Sequence, residues 1–273
     1  MSVKQEAAKL NTGMRNTVPL VHNITNYVTV NDCANALLAI GASPIMADDM
    51  LEAADIAAIS SALVINIGTL NQRTIESMIL AGKRANELGI PVVFDPVGAG
   101  ASKLRNETTQ RILEQVEISI LRGNLSEVSY VAGLSASTKG VDTSEEDSDK
   151  DALAVAKTAA EKLSCTVAVT GAVDVVSDGA RAVRIFNGHP MLSKITGTGC
   201  MASAVTGGYA GMKQDAFTAA AAGVMSMGIA GEIAYEKAGH MGTGSFRVAL
   251  MDALSMLNEQ MIEEMGKIEE AKH

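Results

Sequence analysis

Aromatic residues are scarce in this sequence of 273 residues. They make up 3% of the chain and include no tryptophan, so a core has to be built from aliphatic side chains and from fifteen methionines, which fill irregular gaps well. Hydrophobic residues nevertheless account for 47% of the chain and charged residues for 19%. This balance is typical of a globular protein with a large buried core.

Cysteine is also rare. The three cysteines, Cys33, Cys165 and Cys200, are far apart and form no Cys-X-X-Cys pair, and the histidines are scattered as well. Their number and spacing exclude a disulfide framework and a structural zinc site. Cys33 lies in a segment with helical spacing and Cys165 begins a core strand, so we expect both thiols to be buried as small hydrophobic groups.

Positive charge is in deficit, with 22 Lys and Arg residues against 31 Asp and Glu and a net charge of -9. A nucleic-acid-binding protein normally carries a basic face, and this sequence has neither a Lys/Arg cluster nor aromatic residues for base stacking. Residues 1–10 are polar, which excludes a secretory signal peptide, and the apolar stretch 216–234 contains enough Ala, Gly and polar residues to predict a buried helix. The sequence therefore predicts a cytoplasmic protein without nucleic acid or membrane partners.

Short apolar runs alternate with segments of helical spacing along the chain. The predicted strands cover residues 61–67, 90–94, 118–121, 165–170, 174–177 and 182–186, and the predicted helices cover 72–88, 104–116, 125–133, 152–163 and the region from 199 onward. The acidic run 142–151 is expected to be an exposed loop. This order predicts an α/β fold with three layers, α-β-α, in which helices cover both faces of a mostly parallel central sheet. No repeat or linker is visible, so we expect one domain, residues 1–273.

Polar or glycine residues follow the predicted strands at the point where each strand ends. In open parallel sheets, ligands bind beyond the carboxyl ends of the strands. This rule selects a set of candidate residues at one edge of the sheet: Asn66, Gly68, Asp95, Arg122, Asn124, Thr170 and Gly171. Turns are polar in any case, so the prediction depends on the whole set and not on one member.

A glycine-rich segment, Thr-Gly-Thr-Gly-Cys at 196–200, leads directly into a helix of small residues. Gly197 and Gly199 allow the backbone to approach a ligand, and backbone N–H groups at a helix N-terminus bind anions such as a transferring phosphoryl group. Tight packing alone would also explain the glycines. The segment also fits a Gly-X-Gly-X-X-Ala dinucleotide pattern with Asp215 downstream, but residues 190–194 are a poor strand. A Walker A pattern is absent, which excludes a P-loop kinase.

Two further segments carry charged residues at strand ends. In Arg-Gly-Asn-Leu-Ser-Glu at 122–127, Arg122 can balance phosphate charge, and Glu127 can hold Mg²⁺ through water. Glu127 and Asn124 can instead form a helix capping box. Asp95 ends another strand, where it can bind a metal ion or act near a phosphate group. It can also simply be a carboxylate in a turn.

Six segments in order resemble the hydroxyethylthiazole kinase family of the ribokinase-like superfamily. They are Pro-Leu-Val-His-Asn-Ile-Thr-Asn-Tyr-Val at 19–28, Ala-Ser-Pro-Ile-Met-Ala at 42–47, Phe-Asp-Pro-Val-Gly-Ala at 94–99, the segment at 122–127, Val-Thr-Gly at 169–171 and Thr-Gly-Thr-Gly-Cys at 196–200. Together they span nearly the whole chain, and an ordered set of this kind is far more specific than any one motif.

The resemblance implies a ribokinase-like fold and ATP-dependent phosphorylation of the hydroxyl of 4-methyl-5-(2-hydroxyethyl)thiazole, in thiamine biosynthesis or salvage. It also implies Mg²⁺ as cofactor and a homotrimer in which a neighbouring subunit closes each pocket. The site residues that it implies are Cys200 as catalytic base, Arg122, Thr170, Asn124 and Gly199 for ATP, Met46, Gly197 and Asn26 for the thiazole, and Glu127 and Asp95 for the metal.

Cys200 stands where many ribokinase-like kinases have an aspartate base. We expect the helix N-terminus to lower the pKa of its thiol, although Cys200 could also contact the substrate without removing a proton. Three alternatives stay open at this point: a pyrimidine kinase of the same superfamily, a hydratase or dehydratase acting on hydrated nicotinamide, and a non-catalytic binding protein. The segments around Asn26 and Met46 favour the thiazole, and an aspartate would be expected at Cys200 in the hydratase.

Overall fold

The computed structural model describes residues 1–134, 145–213 and 215–271. Nine strands form one sheet in the order β2-β1-β3-β4-β5-β6-β7-β8-β9. Their bounds are β1 Leu20–Ile24, β2 Ser43–Ile45, β3 Ala62–Asn66, β4 Val92–Asp95, β5 Ile120–Asn124, β6 Thr166–Thr170, β7 Asp174–Ser177, β8 Ala182–Ile185 and β9 Ile268–Glu270. Neighbours from β2 to β6 are parallel and those from β6 to β9 are antiparallel. The prediction of a mostly parallel sheet is confirmed.

Helices cover both faces of this sheet. Their bounds are α1 Val3–Thr17, α2 Val30–Ile40, α3 Ala53–Ile59, α4 Gln72–Glu87, α5 Lys103–Gln115, α6 Leu125–Ala132, α7 Glu145–Leu163, α8 Thr198–Ala210, α9 Ala216–Ala238, α10 Thr243–Met256 and α11 Glu259–Met265. One hydrophobic cluster joins α1, α2 and α8 to α11 to the sheet, and a second cluster joins α3 to α7 to the opposite face. The three-layer prediction is therefore confirmed.

Strand β3 shows why the sequences of the central strands are continuous apolar runs. All five of its residues are buried: Val64 packs into the first cluster, whereas Leu63 and Ile65 pack into the second. Successive side chains of a strand point to opposite faces, so a strand covered on both faces has no polar side until it ends. For β3, the first polar side chain is that of Asn66, at the carboxyl edge.

Helix α9 and its extension to Met241 are long and apolar enough to cross a membrane, the one such helix among the residues described. Within its most apolar stretch, 89% of the residues are buried inside the protein. It packs against α8 and α10. The helix predicted from residues 216–234 is thus a core helix in this structure.

Two predictions of local structure were wrong. Of the acidic run 142–151, residues 142–144 lie outside the described part of the chain, but helix α7 begins at Glu145 and not at residue 152. Acidic residues are favoured at a helix N-terminus by the helix dipole, and this preference outweighs the high charge of the segment. The region from 199 onward is also not entirely helical, because residues Ile268–Glu270 form the edge strand β9 beside β8.

Candidate active site

The parallel strands bring their last residues together at one edge. In the register of the sheet Asn66 lies opposite Asp95, and Asn124 lies opposite Thr170. Each of these four residues ends a strand. The sheet thus confirms that the polar residues selected by the strand-end rule share one edge.

Helix α8 begins at this edge, and its first turn depends on two glycines. Gly197, the N-cap residue, has a left-handed backbone with φ of 90°, and a Cβ atom there would lie 2.5 Å from Thr29 Cγ2. A Cβ atom on Gly199 would lie 2.8 Å from Arg122 Nη1. Gly197 has no side chain to cap the helix, so the first N–H groups of α8 are available to an anion.

A cavity of about 390 Å³, here called the central cavity, opens between the sheet edge and α8. It brings together all but two of the predicted site residues. Those that line it are Asn26, Asp95, Arg122, Asn124, Glu127, Gly197, Gly199 and Cys200. Backbone amides, a guanidinium group, two carboxylates and a thiol therefore converge on one small space.

A second cavity of about 510 Å³, the lateral cavity, adjoins the central cavity. Arg122 and Gly199 line both of them, and Thr170 lines only the lateral cavity. Its other walls include the apolar side chains of Leu192 and Met227. The pair of cavities can hold an elongated ligand with an anionic section at Arg122 and a less polar section beyond it.

Cys200 is held by two asparagines. Its Sγ atom accepts hydrogen bonds from Asn26 Nδ2 at 3.0 Å and from Asn66 Nδ2 at 3.3 Å, and the residue is 8% exposed. Burial raises the pKa of the thiol above its ordinary value, and the negative charge of Asp95 raises it further. The expectation that the pKa is lowered was wrong, because burial outweighs the hydrogen bonds of Thr29 and Asn66 and the positive charge of Arg122, which act in the opposite direction.

Asp95 is fully buried, and its hydrogen bonds are concentrated on one oxygen. Oδ2 accepts from Asn66 Nδ2 at 2.9 Å and from Ser203 Oγ at 2.6 Å, and Arg122 Nη1 lies 3.5 Å away. Oδ1 has no hydrogen-bond partner among the described residues. Burial raises the pKa of Asp95 to about 6, while Arg122 opposes this rise. The carboxyl group therefore changes charge just below neutral pH.

Glu127 forms the capping box that the sequence left as an alternative. Its Oε2 accepts from the Asn124 N–H at 2.8 Å, and Asn124 Oδ1 accepts in return from the Glu127 N–H at 2.9 Å. Oε1 accepts from the Gly98 N–H at 2.8 Å, which ties the loop after Asp95 to α6. A carboxylate has about four acceptor positions, so these bonds leave room for water or a cation. The metal role of Glu127 therefore stays a prediction beside its structural role.

Arg122 connects the two cavities. Its Nη2 donates to Thr170 Oγ1 at 2.5 Å, and its buried Nε has no partner among the described residues. The side chain is only 12% exposed. A guanidinium group that is largely buried and incompletely paired is prepared to bind a negatively charged ligand.

Met46 and Asp215 are outside both cavities. Met46 follows β2, is partly buried and packs against the core. Asp215 caps α9 by accepting from the Phe217 and Thr218 N–H groups, and residues Pro190–Lys194 form a 3-10 helix. The Gly-X-Gly-X-X-Ala segment thus follows no strand, and the dinucleotide-binding alternative was wrong. Cys33 and Cys165 are buried, as predicted.

Sequence reasoning gave no role to two residues of the site. Asn66 was selected only as a strand-end residue, and Ser203 only as part of the small-residue helix. The signal for Asn66 was an amide directly after a strand buried on both faces. For Ser203 the signal was weaker, since its contact with Asp95 joins residues more than a hundred positions apart.

A cavity larger than both of these lies at the other end of the strands. This amino-end cavity, of about 1580 Å³, is lined by residues that include Ser61, Pro91 and Ser119, near the starts of β3, β4 and β5. None of the predicted site residues lines it. Cavity volume alone would therefore favour the end of the sheet that holds none of the predicted site residues.

Known proteins resemble this chain closely. A model of the hydroxyethylthiazole kinase family matches residues 12–260. The chain is 65% identical to the hydroxyethylthiazole kinase of Ruminiclostridium cellulolyticum over 97% of its own length and 98% of that protein, and 64% identical to that of Clostridium beijerinckii over 94% of each. Among solved structures, the hydroxyethylthiazole kinase protein of Pyrococcus horikoshii OT3 has a TM-score of 0.89 at 42% identity, covering 98% of this chain and 99% of the other. A Bacillus subtilis pyridoxal kinase, with a TM-score of 0.58 and 19% identity over 77% of this chain and 90% of its own, shares the fold alone.

Proposed function

Because the chain belongs to the hydroxyethylthiazole kinase family, we propose that it transfers the γ-phosphate of ATP to the hydroxyl of 4-methyl-5-(2-hydroxyethyl)thiazole, in thiamine biosynthesis or salvage. We propose that residues 1–273 form a single kinase domain. The observation that carries the proposal is the central cavity, where the N–H groups of α8, Arg122 and Cys200 face one space. This set matches the needs of phosphoryl transfer, which depends mainly on positioning and on stabilisation of charge.

ATP would occupy the lateral cavity and extend into the central one. The triphosphate would pass Arg122, Asn124 and Gly199, where a guanidinium group and free backbone amides favour negative charge. Thr170 would lie beside it, already bonded to Arg122. The less polar walls of the lateral cavity suit the base, because flat heterocycles bind in apolar pockets with few polar contacts.

The thiazole alcohol would enter the central cavity beside Asn26 and Gly197. Met46 lies near this edge without lining the cavity, which supports the proposal that a neighbouring subunit completes the substrate pocket. The loops that follow β1 and β2 expose large apolar side chains, with Tyr27 76% and Leu51 88% exposed. Apolar groups of this size are typical of a surface that another chain covers. We propose a homotrimer, which light scattering of the purified protein would test.

Mg²⁺ fits the donor set at the sheet edge. Asp95 offers a buried oxygen, Oδ1, that no described residue contacts, and Glu127 has acceptor positions left over from its capping bonds. Mg²⁺ prefers oxygen ligands and usually keeps several waters while it binds substrate phosphates. No group of three potential protein ligands occurs among the described residues, so Asp95 and Glu127 would hold the ion largely through water. When bound, Mg²⁺ would neutralise charge on the phosphates.

In the proposed reaction, the alcohol oxygen attacks the γ-phosphorus, the new oxygen–phosphorus bond forms, and the bond to the β-phosphate oxygen breaks to release ADP. The hydroxyl proton moves to Cys200 Sγ in its thiolate form. Because burial raises the pKa of the thiol, the thiolate is the minor form at neutral pH, and its fraction grows as the pH rises. The α8 amides and Arg122 stabilise the charge on the transferred group.

An ADP-release assay with a panel of alcohols tests the proposal. We expect release that depends on the thiazole alcohol and exceeds the release with hydroxymethylpyrimidine. Folded protein that is inactive with the thiazole but active with the pyrimidine would assign it to the other kinase. Repair of hydrated nicotinamide, or binding of ATP and thiazole without turnover, would support the remaining alternatives.

We further propose a cytoplasmic location without nucleic acid or membrane partners, supported by the net charge of -9.

A further inference from the structure

Asn66 is a fully buried amide with every hydrogen bond satisfied. It ends β3, and its Nδ2 donates to both Asp95 Oδ2 at 2.9 Å and Cys200 Sγ at 3.3 Å. Its Oδ1 accepts from the Gly68 N–H at 2.8 Å. Burying an amide is unfavourable unless it is hydrogen-bonded, so an amide at this position needs all three partners.

The orientation of this amide is fixed by the chemistry of its neighbours. The Gly68 N–H can only donate and therefore requires the oxygen of Asn66 to face it. The NH₂ group must then face Asp95 and Cys200. A Cβ atom on Gly68 would lie 2.9 Å from Asn66 Oδ1, so the absence of a side chain at Gly68 permits the arrangement.

Asn26 supplies a second amide to the same sulfur. Its Nδ2 donates to Cys200 Sγ at 3.0 Å, and its Oδ1 accepts from the Thr29 N–H at 3.2 Å. Both amides are thus held by backbone N–H groups with their NH₂ groups directed at Cys200. Two fixed N–H donors stabilise the sulfur as a proton acceptor. They leave the other side of the sulfur for the exchange of a proton with a molecule in the central cavity.

We propose that Asn66 is a positioning residue for the phosphoryl transfer: one amide holds Cys200 Sγ and Asp95 Oδ2 in fixed positions and, with Asn26, stabilises the sulfur as acceptor of the alcohol proton. The inference rests on the proposed function, which assigns the proton to Cys200. It adds a connection between the thiol on α8 and the carboxylate on β4, which otherwise act separately.

Asn66→Leu tests the proposal, because leucine has a side chain of the same branched shape and no hydrogen-bond donor. In the natural protein we expect kcat to fall about tenfold or more, the effect of losing a hydrogen bond to a charged group, with the KM for ATP nearly unchanged. In a Cys200→Asp background we expect a smaller fall, because the ordinary pKa of an aspartate lies far below that of a thiol and its ionisation depends less on Asn66. Equal losses of kcat in the two backgrounds would overturn the proposal.

Two control variants, Gly68→Ala and Asn11→Ala, distinguish a loss of positioning from a folding defect. Gly68→Ala displaces both amides without removing either, since its Cβ atom would lie 2.5 Å from Asn26 Nδ2, and it should also lower kcat. Asn11 is an equally buried asparagine that donates to Tyr209 Oη in the helical layer, away from the cavities. Asn11→Ala should lower the melting temperature and leave kcat unchanged; a fall in kcat like that of Asn66→Leu would assign Asn66 a merely structural role.

A measurement without turnover separates this inference from the proposed function. The rate at which iodoacetamide alkylates Cys200 at a fixed pH, followed by peptide mass spectrometry, reports how far the sulfur is stabilised as a nucleophile. We expect Asn66→Leu to slow this rate about tenfold. Inactivity of the natural protein on the thiazole, together with slower alkylation in Asn66→Leu, would contradict the proposed substrate and support the role of Asn66. An unchanged alkylation rate would overturn that role.

Discussion

The two ends of the parallel strands differ in how their polar groups are used. At the amino end, Ser61 Oγ accepts from the Leu20 N–H and Ser119 Oγ accepts from the Val92 N–H, so these hydroxyls join neighbouring strands. At the carboxyl end, Asp95 Oδ1 and Arg122 Nε are buried without a hydrogen-bond partner among residues 1–134, 145–213 and 215–271. The amino end has the larger cavity, whereas the carboxyl end has an acidic and a basic side chain that each keep one buried atom unpaired. Charged groups of this kind favour the carboxyl end as the functional site over the larger volume of the amino end.

Arg122→Ala should show the largest effect at the carboxyl end. It removes the guanidinium group that lines both cavities, and the loss of one preorganised charge partner lowers rates by about 10²–10³-fold. We expect kcat/KM for ATP to fall by that factor, measured by ADP release. Arg111→Ala, at an exposed ion pair with Glu76, is the matched control and should keep its activity.

Cys200→Ala should show the next largest effect. A general base contributes about 10²-fold or more, so kcat should fall by that order while ATP binding, followed by calorimetry, changes little. Cys200→Asp should keep or raise the turnover of the natural protein. Normal turnover by Cys200→Ala would remove the thiol from the proposed proton transfer.

The pH dependence of kcat should separate the roles of the two acidic groups. Since burial raises the pKa of the Cys200 thiol, the thiolate fraction and hence kcat should increase as pH rises through neutrality, by about tenfold per unit while pH stays below that pKa. Because the pKa of Asp95 is about 6, protonation below that pH should lower activity further. In Cys200→Asp the alkaline rise should disappear. A rise that persists in this variant would point to another group.

Lys83→Ala should have the smallest effect, because this side chain lies at the amino end of the strands. Lys83 lines the amino-end cavity, far from the predicted site residues. We expect kcat and the KM values to stay within about twofold of the natural protein, since surface substitutions away from a site rarely matter. A substantial loss of activity would show that the amino end takes part in function.

The edge of the sheet was predictable from sequence because the signal is local. A strand buried on both faces stays apolar until it ends, so Asn66, Asp95 and Arg122 stand out as the first polar residues after apolar runs. Their shared edge then follows from the parallel order alone. The start of α7 was less predictable, since charge suggested a loop whereas the helix dipole favours acidic residues at that end.

Contacts within the site were not predictable, because they join distant parts of the chain. Asn66 meets Cys200, and Ser203 meets Asp95, only after α8 has packed on the sheet. The pKa of Cys200 was predicted in the wrong direction because burial depends on the same packing. Met46, which the sequence predicts at the substrate, lines neither cavity.

Arg122 and Gly199 line both cavities, so the central and lateral cavities share a wall. One molecule that tethers an alcohol analogue to a nucleoside through a short polyphosphate would span both chambers at once. Such a tether makes the second contact intramolecular, so affinity rises without any new interaction. The same wall sets the tether's length, and compounds with longer or shorter phosphate chains would measure it.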